Sequence, residues 1–142
     1  MPGERDLETL LTHAAPRLRE DVYVFCSQPE GVSLPLGLQP VMQFREDEGT
    51  TLVILRDDAL RLGWAHEFPC RWITLSVDSA LDAVGFLAVV TARLAAAGIA
   101  VNAVSALRHD HLFVPENRAE EAMRALSLLA AWTPPRRRGR RG

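Results

Sequence analysis

Lysine is absent from the 142 residues and cysteine nearly so, and each shortage narrows what the chain can be. Two cysteines, Cys26 and Cys70, are too few for a disulfide framework, and the segment Met1 to Glu8 is polar and charged, unlike a secretory leader. A reducing cytoplasm is the expected setting. Long apolar runs are also missing: the richest stretch, Ala80 to Val101, is interrupted by Asp82 and Arg93, so no membrane span is expected. Aromatic residues make up 6%, and Trp64, Trp72 and Trp132 lie far apart, which suits core or interface positions better than a base-stacking platform.

All 16 basic residues are arginine, and five of them crowd into residues 136–141. Before that tail, eleven arginines face eighteen carboxylates, a formal charge of −7. Nucleic-acid affinity comes mainly from cations neutralising phosphates, so the body is a poor candidate and only the tail can serve that purpose, weakly and at low salt. With 48% hydrophobic residues there is enough apolar material for one compact unit or two small ones sharing a core.

Along the chain, Asp6 caps a first helix through Leu7, Leu10, Leu11 and Ala14, which Pro16 kinks or restarts before Leu18. Val22 to Cys26 reads as a strand, Gln28 to Pro40 as an irregular loop, and Val41–Phe44 with Thr51–Leu55 as a hairpin around Arg45-Glu46-Asp47-Glu48-Gly49. Asp57 and Asp58 open a short helix that Gly63 stops. Trp72 to Val77 alternates as a half-buried strand. Ser79 with Asp82 then predicts a capped helix running to Gly98, with Gly85 inside it and Asp78 and Asp82 as helix-start carboxylates. Val101–Leu107 and His111–Val114 are strands, and Asn117 with Glu120 predicts the cap of a last amphipathic helix. The two halves read as one unit written twice: Leu52-Val53-Ile54-Leu55 before Asp57 parallels Leu112-Phe113-Val114-Pro115 before Asn117.

Three ordered segments carry a resemblance: residues 45–53, Trp72 to Phe86, and His109-Asp110-His111-Leu112-Phe113-Val114-Pro115. Together they are similar to small bacterial tandem ACT-domain proteins, relatives of the CASTOR-type arginine sensors. The resemblance spans roughly residues 5 to 132 and implies an α+β fold of two ferredoxin-like modules (ACT, βαββα) packed side by side, with antiparallel sheets and helices on one face. The expected division is a degenerate module over residues 1–68, a second module over 69–132, and a disordered arginine-rich tail over 133–142. It also implies a non-catalytic protein without a cofactor, binding an amino acid where the modules meet. Carried over by position, the candidate ligand residues are Asp110, Gly85, Phe86, Asn102 and Asp78, with Asp110 matching the acidic turn residue that faces the cationic ligand of the arginine sensors. A homodimer is compatible with this organisation, and a structural or protein-interaction module without a small ligand is the alternative.

Other readings of the same residues are incomplete. His109 and His111 share a strand face with no third metal ligand at suitable spacing, and the bland alternative is a polar turn in which Asp110 bonds backbone amides and His111 packs on the sheet. Asp78, Asp82, Asp110, Ser76, Ser79 and His109 lack the companion oxyanion motif a nucleophilic site needs.

Overall fold

The computed structural model describes residues 3–134; the arginine tail and its expected disorder lie outside them. Four helices and six strands follow in the order α1 (Leu7–Thr12), β1 (Pro16–Gln28), β2 (Met42–Glu46), β3 (Gly49–Leu55), α2 (Arg56–Leu62), β4 (Glu67–Leu75), α3 (Phe86–Ala96), β5 (Asn102–Ser105), β6 (Asp110–Pro115) and α4 (Ala119–Leu126). The strands form one antiparallel sheet in the order β2-β3-β1-β4-β6-β5. The halves meet along β1 and β4, so two ferredoxin-like modules lie side by side and share a continuous sheet. Arg56 and Glu116, which follow the matching strands β3 and β6, join at 2.9 Å and tie one module to the other.

Residues of alternate parity give the sheet two unlike faces. One face carries Ile73, Leu75, Leu112 and Val114 under α1, α3 and α4, and Val24, Cys26, Leu52 and Ile54 under α2. The other has no helix. It is filled instead by its own aromatic residues: Phe25 and Phe113 meet edge to face at 5.9 Å, Tyr23 and Trp72 at 5.7 Å, with Val53 and Cys70 fully buried among them. The sheet curls to achieve this. Strands β2 and β5 stand at opposite ends of the strand order, yet Met42 and Val104 line the same cavity of about 110 Å³. Burial pushes the Cys70 thiol up to about 12, which keeps it a neutral, inert member of this inner core.

Several expected boundaries move. Asp6 does cap α1, accepting from the Thr9 amide at 3.0 Å, but Pro16 does not continue the helix. The chain turns at Ala15 (φ 43°) and Pro16 is the first residue of a strand far longer than Val22–Cys26. β4 starts at Glu67, ahead of the expected Trp72, and includes Pro69. Between the pairs Tyr23↔Cys70 and Phe25↔Glu67, β4 holds one residue more than β1, and this bulge takes up Phe68 (φ 58°) and Pro69, where a missing N–H costs the ladder nothing. The Asn117 cap is not formed: a turn of 3-10 helix, Glu116–Arg118, leads into α4 without a side-chain cap. Gly63 (φ 67°) and Gly98 (φ 70°) end α2 and α3 as expected, because both take the left-handed conformation that glycine adopts at least cost. No helix among the described residues is long and apolar enough to cross a membrane.

Candidate functional site

The largest departure from the sequence reading lies between β4 and α3. Ser79 does not start a helix: residues 76–85 are a loop, and α3 begins only at Phe86, after Gly85 in the left-handed region (φ 93°). Gly85 is therefore the residue at the helix threshold, not an interior glycine, and Asp78 and Asp82 are loop carboxylates rather than members of a first turn. With no side chain at this position, Gly85 leaves α3 without a side-chain cap.

Asp110 organises the loop from below. It is the first residue of β6, 6% exposed, and pairs in the ladder with Leu75 on one side and Ser105 on the other. Its Oδ2 accepts from the Ser79 hydroxyl at 3.0 Å and its Oδ1 from the Ser105 hydroxyl at 2.5 Å. The expected bonds from backbone amides to this carboxylate are replaced by two serine hydroxyls, one from the loop and one from the edge strand. Two further bonds hold the loop to the β5–β6 hairpin: the Ser79 amide donates to the Arg108 carbonyl at 3.2 Å, and the His109 ring to the Val77 carbonyl at 3.1 Å.

From above, the N-terminal segment straps the same loop. The Glu4 amide donates to the Asp78 carbonyl at 2.8 Å and the Ala80 amide to the Glu4 carbonyl at 2.9 Å, a short parallel bridge. Arg5 reaches Asp82 at 2.8 Å, and Arg108 lies 3.9 Å from Asp78, both pairs largely in solvent and worth little to stability. Only glycine fits at the strap's start. A Cβ on Gly3 would lie 2.7 Å from Ala80 N and Ser79 C and 2.9 Å from Asp78 O, all backbone atoms with no freedom to yield. Gly3→Ala is thus expected to release the strap, costing about 1–2 kcal/mol for two backbone hydrogen bonds. Amide exchange at Ala80 should quicken at least tenfold while the sheet amides keep their protection; unchanged exchange at Ala80 would refute the strap.

Two cavities flank the loop, with Ala80 and Leu81 as their common wall. A recess of about 60 Å³ is bounded by Ser79, Phe86, Leu87, Ser105 and Asp110, room for a few waters and no more. A bay of about 290 Å³ lies on the other side, with Gly3, Arg5, Asp78, Asp82, Leu107 and Arg108 around it. The structure thus brings Asp110 and Phe86 to one recess, with Gly85 at its helix threshold, and places Asp78 in the adjoining bay. Asn102 is not among them. It opens β5 opposite Phe113, three rungs from the Ser105–Asp110 pair, about 10 Å along the strand. Arg5, Ser105 and Arg108 were missed by the sequence reading, and the alternation of β5 against β6 is the signal that pairs Ser105 with Asp110.

His111 faces the inner side of the sheet, away from this loop. Its Nδ1 accepts from Trp72 Nε1 at 2.9 Å, which assigns the ring proton to Nε2. Burial, followed by the charges of His109 and Arg19, lowers its pKa and keeps it neutral. Among the described residues no group of three or more His, Cys, Asp or Glu side chains is arranged to hold a metal ion.

The first module offers no second copy of this arrangement. Its β1–β2 connection, residues 29–41, contains no helix, and the ladder position matching Ser105↔Asp110 is Arg45↔Thr50.

Two family models match the chain, both described as ACT domain, one over residues 2–71 and the other over residues 67–127. Among solved structures, the chain is similar to a Vibrio cholerae protein of unknown function with a possible role in transport. The two are 39% identical over 87% of this chain and 95% of that one, with a TM-score of 0.79. A protein from Agrobacterium tumefaciens is 22% identical over 81% of this chain and 87% of its own, with a TM-score of 0.65. The ligand-free regulatory subunit of aspartate kinase from Thermus thermophilus is 12% identical over 83% of this chain and 97% of that one, with a TM-score of 0.63. The last two share the fold. No curated protein sequence matches significantly.

Proposed function

Because the chain belongs to the ACT-domain family, with two such domains in tandem, we propose that it is a non-catalytic sensor of a free amino acid, bound at the β4–α3 loop of the second module. The observation that carries this reading is the pairing of an uncapped helix start with a buried carboxylate across one recess. Free amides at a helix N-terminus favour a carboxylate. Asp110 opposite them favours an ammonium or guanidinium, since its two oxygens offer about four acceptor positions and the serines occupy two. A zwitterion satisfies both.

The recess alone is too small for an amino acid, so binding requires Ala80 and Leu81 to shift and join it to the bay. Leu81 is 68% exposed and loses little packing by moving. The joined space, lined by Arg5, Arg108, Asp78 and Asp82, accepts a polar or charged side chain. Kinship with the CASTOR-type arginine sensors belongs to this proposal too, and makes arginine one of the first ligands to try. Loop displacement couples the site to the strap and to α3, so ligand binding shifts the population of loop states, which a partner can read. With Thr50 at the equivalent position and no helix beside it, the first module serves as scaffold, and one site per chain is expected.

The test is binding of the proteinogenic amino acids to the intact chain and to Asp110→Asn, which keeps the side-chain shape while removing the charge. A ligand at 100 times its Kd stabilises the fold by about 2.7 kcal/mol. Selective stabilisation by one amino acid, with at least a tenfold weaker Kd in Asp110→Asn, is the expected result; equal affinity in the variant would remove the site from this loop.

A further inference from the structure

We infer that the outward face of α3 is the surface through which two copies of this chain pair, a reading that stands whether or not the loop binds an amino acid. α3 turns Phe86, Val90 and Leu94 into the core, while Ala88, Ala92, Ala95 and Ala96 are exposed, and Arg93 is its only charged residue. The contrast with α4 is direct: that helix presents Glu120, Glu121 and Arg124 on its outer side. A surface helix ordinarily carries charge away from the core, and one that is apolar all round is normally covered.

α1 packs against α3, and Trp132, just past the turn Leu129–Ala131 that packs on α1, borders the same face. Leu7, Ala88, Val89, Ala92, Ala96 and Trp132 line an apolar groove of about 560 Å³, with Arg93 also along it. The charges beside the groove indicate what fills it. Glu8 follows Leu7 and is the one charged residue of α1. Among the described residues neither Glu8 nor Arg93 is part of an ion pair. A two-fold contact is self-complementary, so α3 laid antiparallel on its copy near Ala92 satisfies Arg93 of each chain with Glu8 of the other, twice over. Alanine side chains let the two helix backbones approach closely over the same span. The second copy thus supplies both the apolar cover and the missing counter-charges.

Sedimentation equilibrium of the full chain tests the pairing, from micromolar concentrations upward. The expected result is a monomer–dimer equilibrium in the unaltered protein and a monomer in Ala92→Glu. That substitution is at an exposed site with little change in helix propensity, and unchanged circular dichroism and thermal midpoint confirm that it folds. Glu8→Arg and Arg93→Glu should each weaken the dimer at least tenfold, and the double exchange should restore it. A chain that stays monomeric throughout would assign the groove to some other partner and overturn the proposal. So would a dimer that persists in Ala92→Glu, or a double exchange that fails to recover affinity.

Discussion

Phe113→Ala is expected to lower the unfolding free energy by about 3–5 kcal/mol, the usual cost of emptying an aromatic core position. For a domain of this length that corresponds to a fall in Tm of about 10–20 °C. The ring is 1% exposed at the middle of the inner face, edge-on to Phe25 at 5.9 Å and stacked with Trp72 at 6.2 Å. No helix lies above to settle into the space, and the neighbouring groups are themselves rigid rings on a curled sheet. The cavity therefore stays open. Calorimetric unfolding of the variant checks this, and a loss below about 1 kcal/mol would mean that the inner face is not a close-packed core.

Asp110→Ala should cost about 2–4 kcal/mol, less than the sum of two hydrogen bonds to a charged acceptor at about 1.5–3 kcal/mol each, because the loop can relax around the loss. Ser79, itself 6% exposed, is left with a hydroxyl that no longer has its acceptor, and the link from the loop to β5 goes with it. The damage is expected to be local as well as global. Residues 76–85 and the β5–β6 hairpin should lose amide protection first, while β1, β3 and β4 unfold only with the whole domain. Asp110→Asn should retain most of the stability, since an amide oxygen accepts from one serine and its NH₂ can donate to the other hydroxyl. If Asp110→Ala and Asp110→Asn proved equally stable, the carboxylate would not be the post on which the loop stands.

The strands and the repeat were legible because their signal is local. Val53-Ile54-Leu55 and Leu112-Phe113-Val114 alternate between two apolar faces, the turn Arg45 to Gly49 joins a hairpin, and Gly63 and Gly98 mark helix ends that the backbone uses as read. The start of α3 was not. Ser79 followed by Asp82 reads locally as a capped helix start. The serine is claimed instead by Asp110, 31 residues on, and the following backbone by Glu4, far behind it. Long-range hydrogen bonds of that kind leave no trace in a window of ten residues. Pro16 misled for a related reason: it occupies the first position of a strand, where no N–H is needed, and only the pairing of β1 with β4 reveals it.

The same long-range contacts define the candidate site. Asp110, Gly85 and Phe86 were placed together by resemblance, whereas Arg5 reaches the adjoining bay through a chain segment more than seventy residues distant from the loop it covers. Asn102 shows the reverse case, a residue near Ser105 in sequence that the extended strand carries away from the recess.

Entry of an amino acid between the start of α3 and Asp110, as proposed, is tested by titrating the ¹⁵N-labelled full chain with each amino acid in turn and following the amide resonances. One amino acid, at saturation, is expected to move the amides of residues 76–88 and 105–110 and of Glu4 and Arg5, leaving β2, β3 and α2 in place. Shifts centred on residues 29–41 or on the inner aromatic face would place the ligand elsewhere, and a spectrum that no amino acid perturbs would contradict the sensor itself.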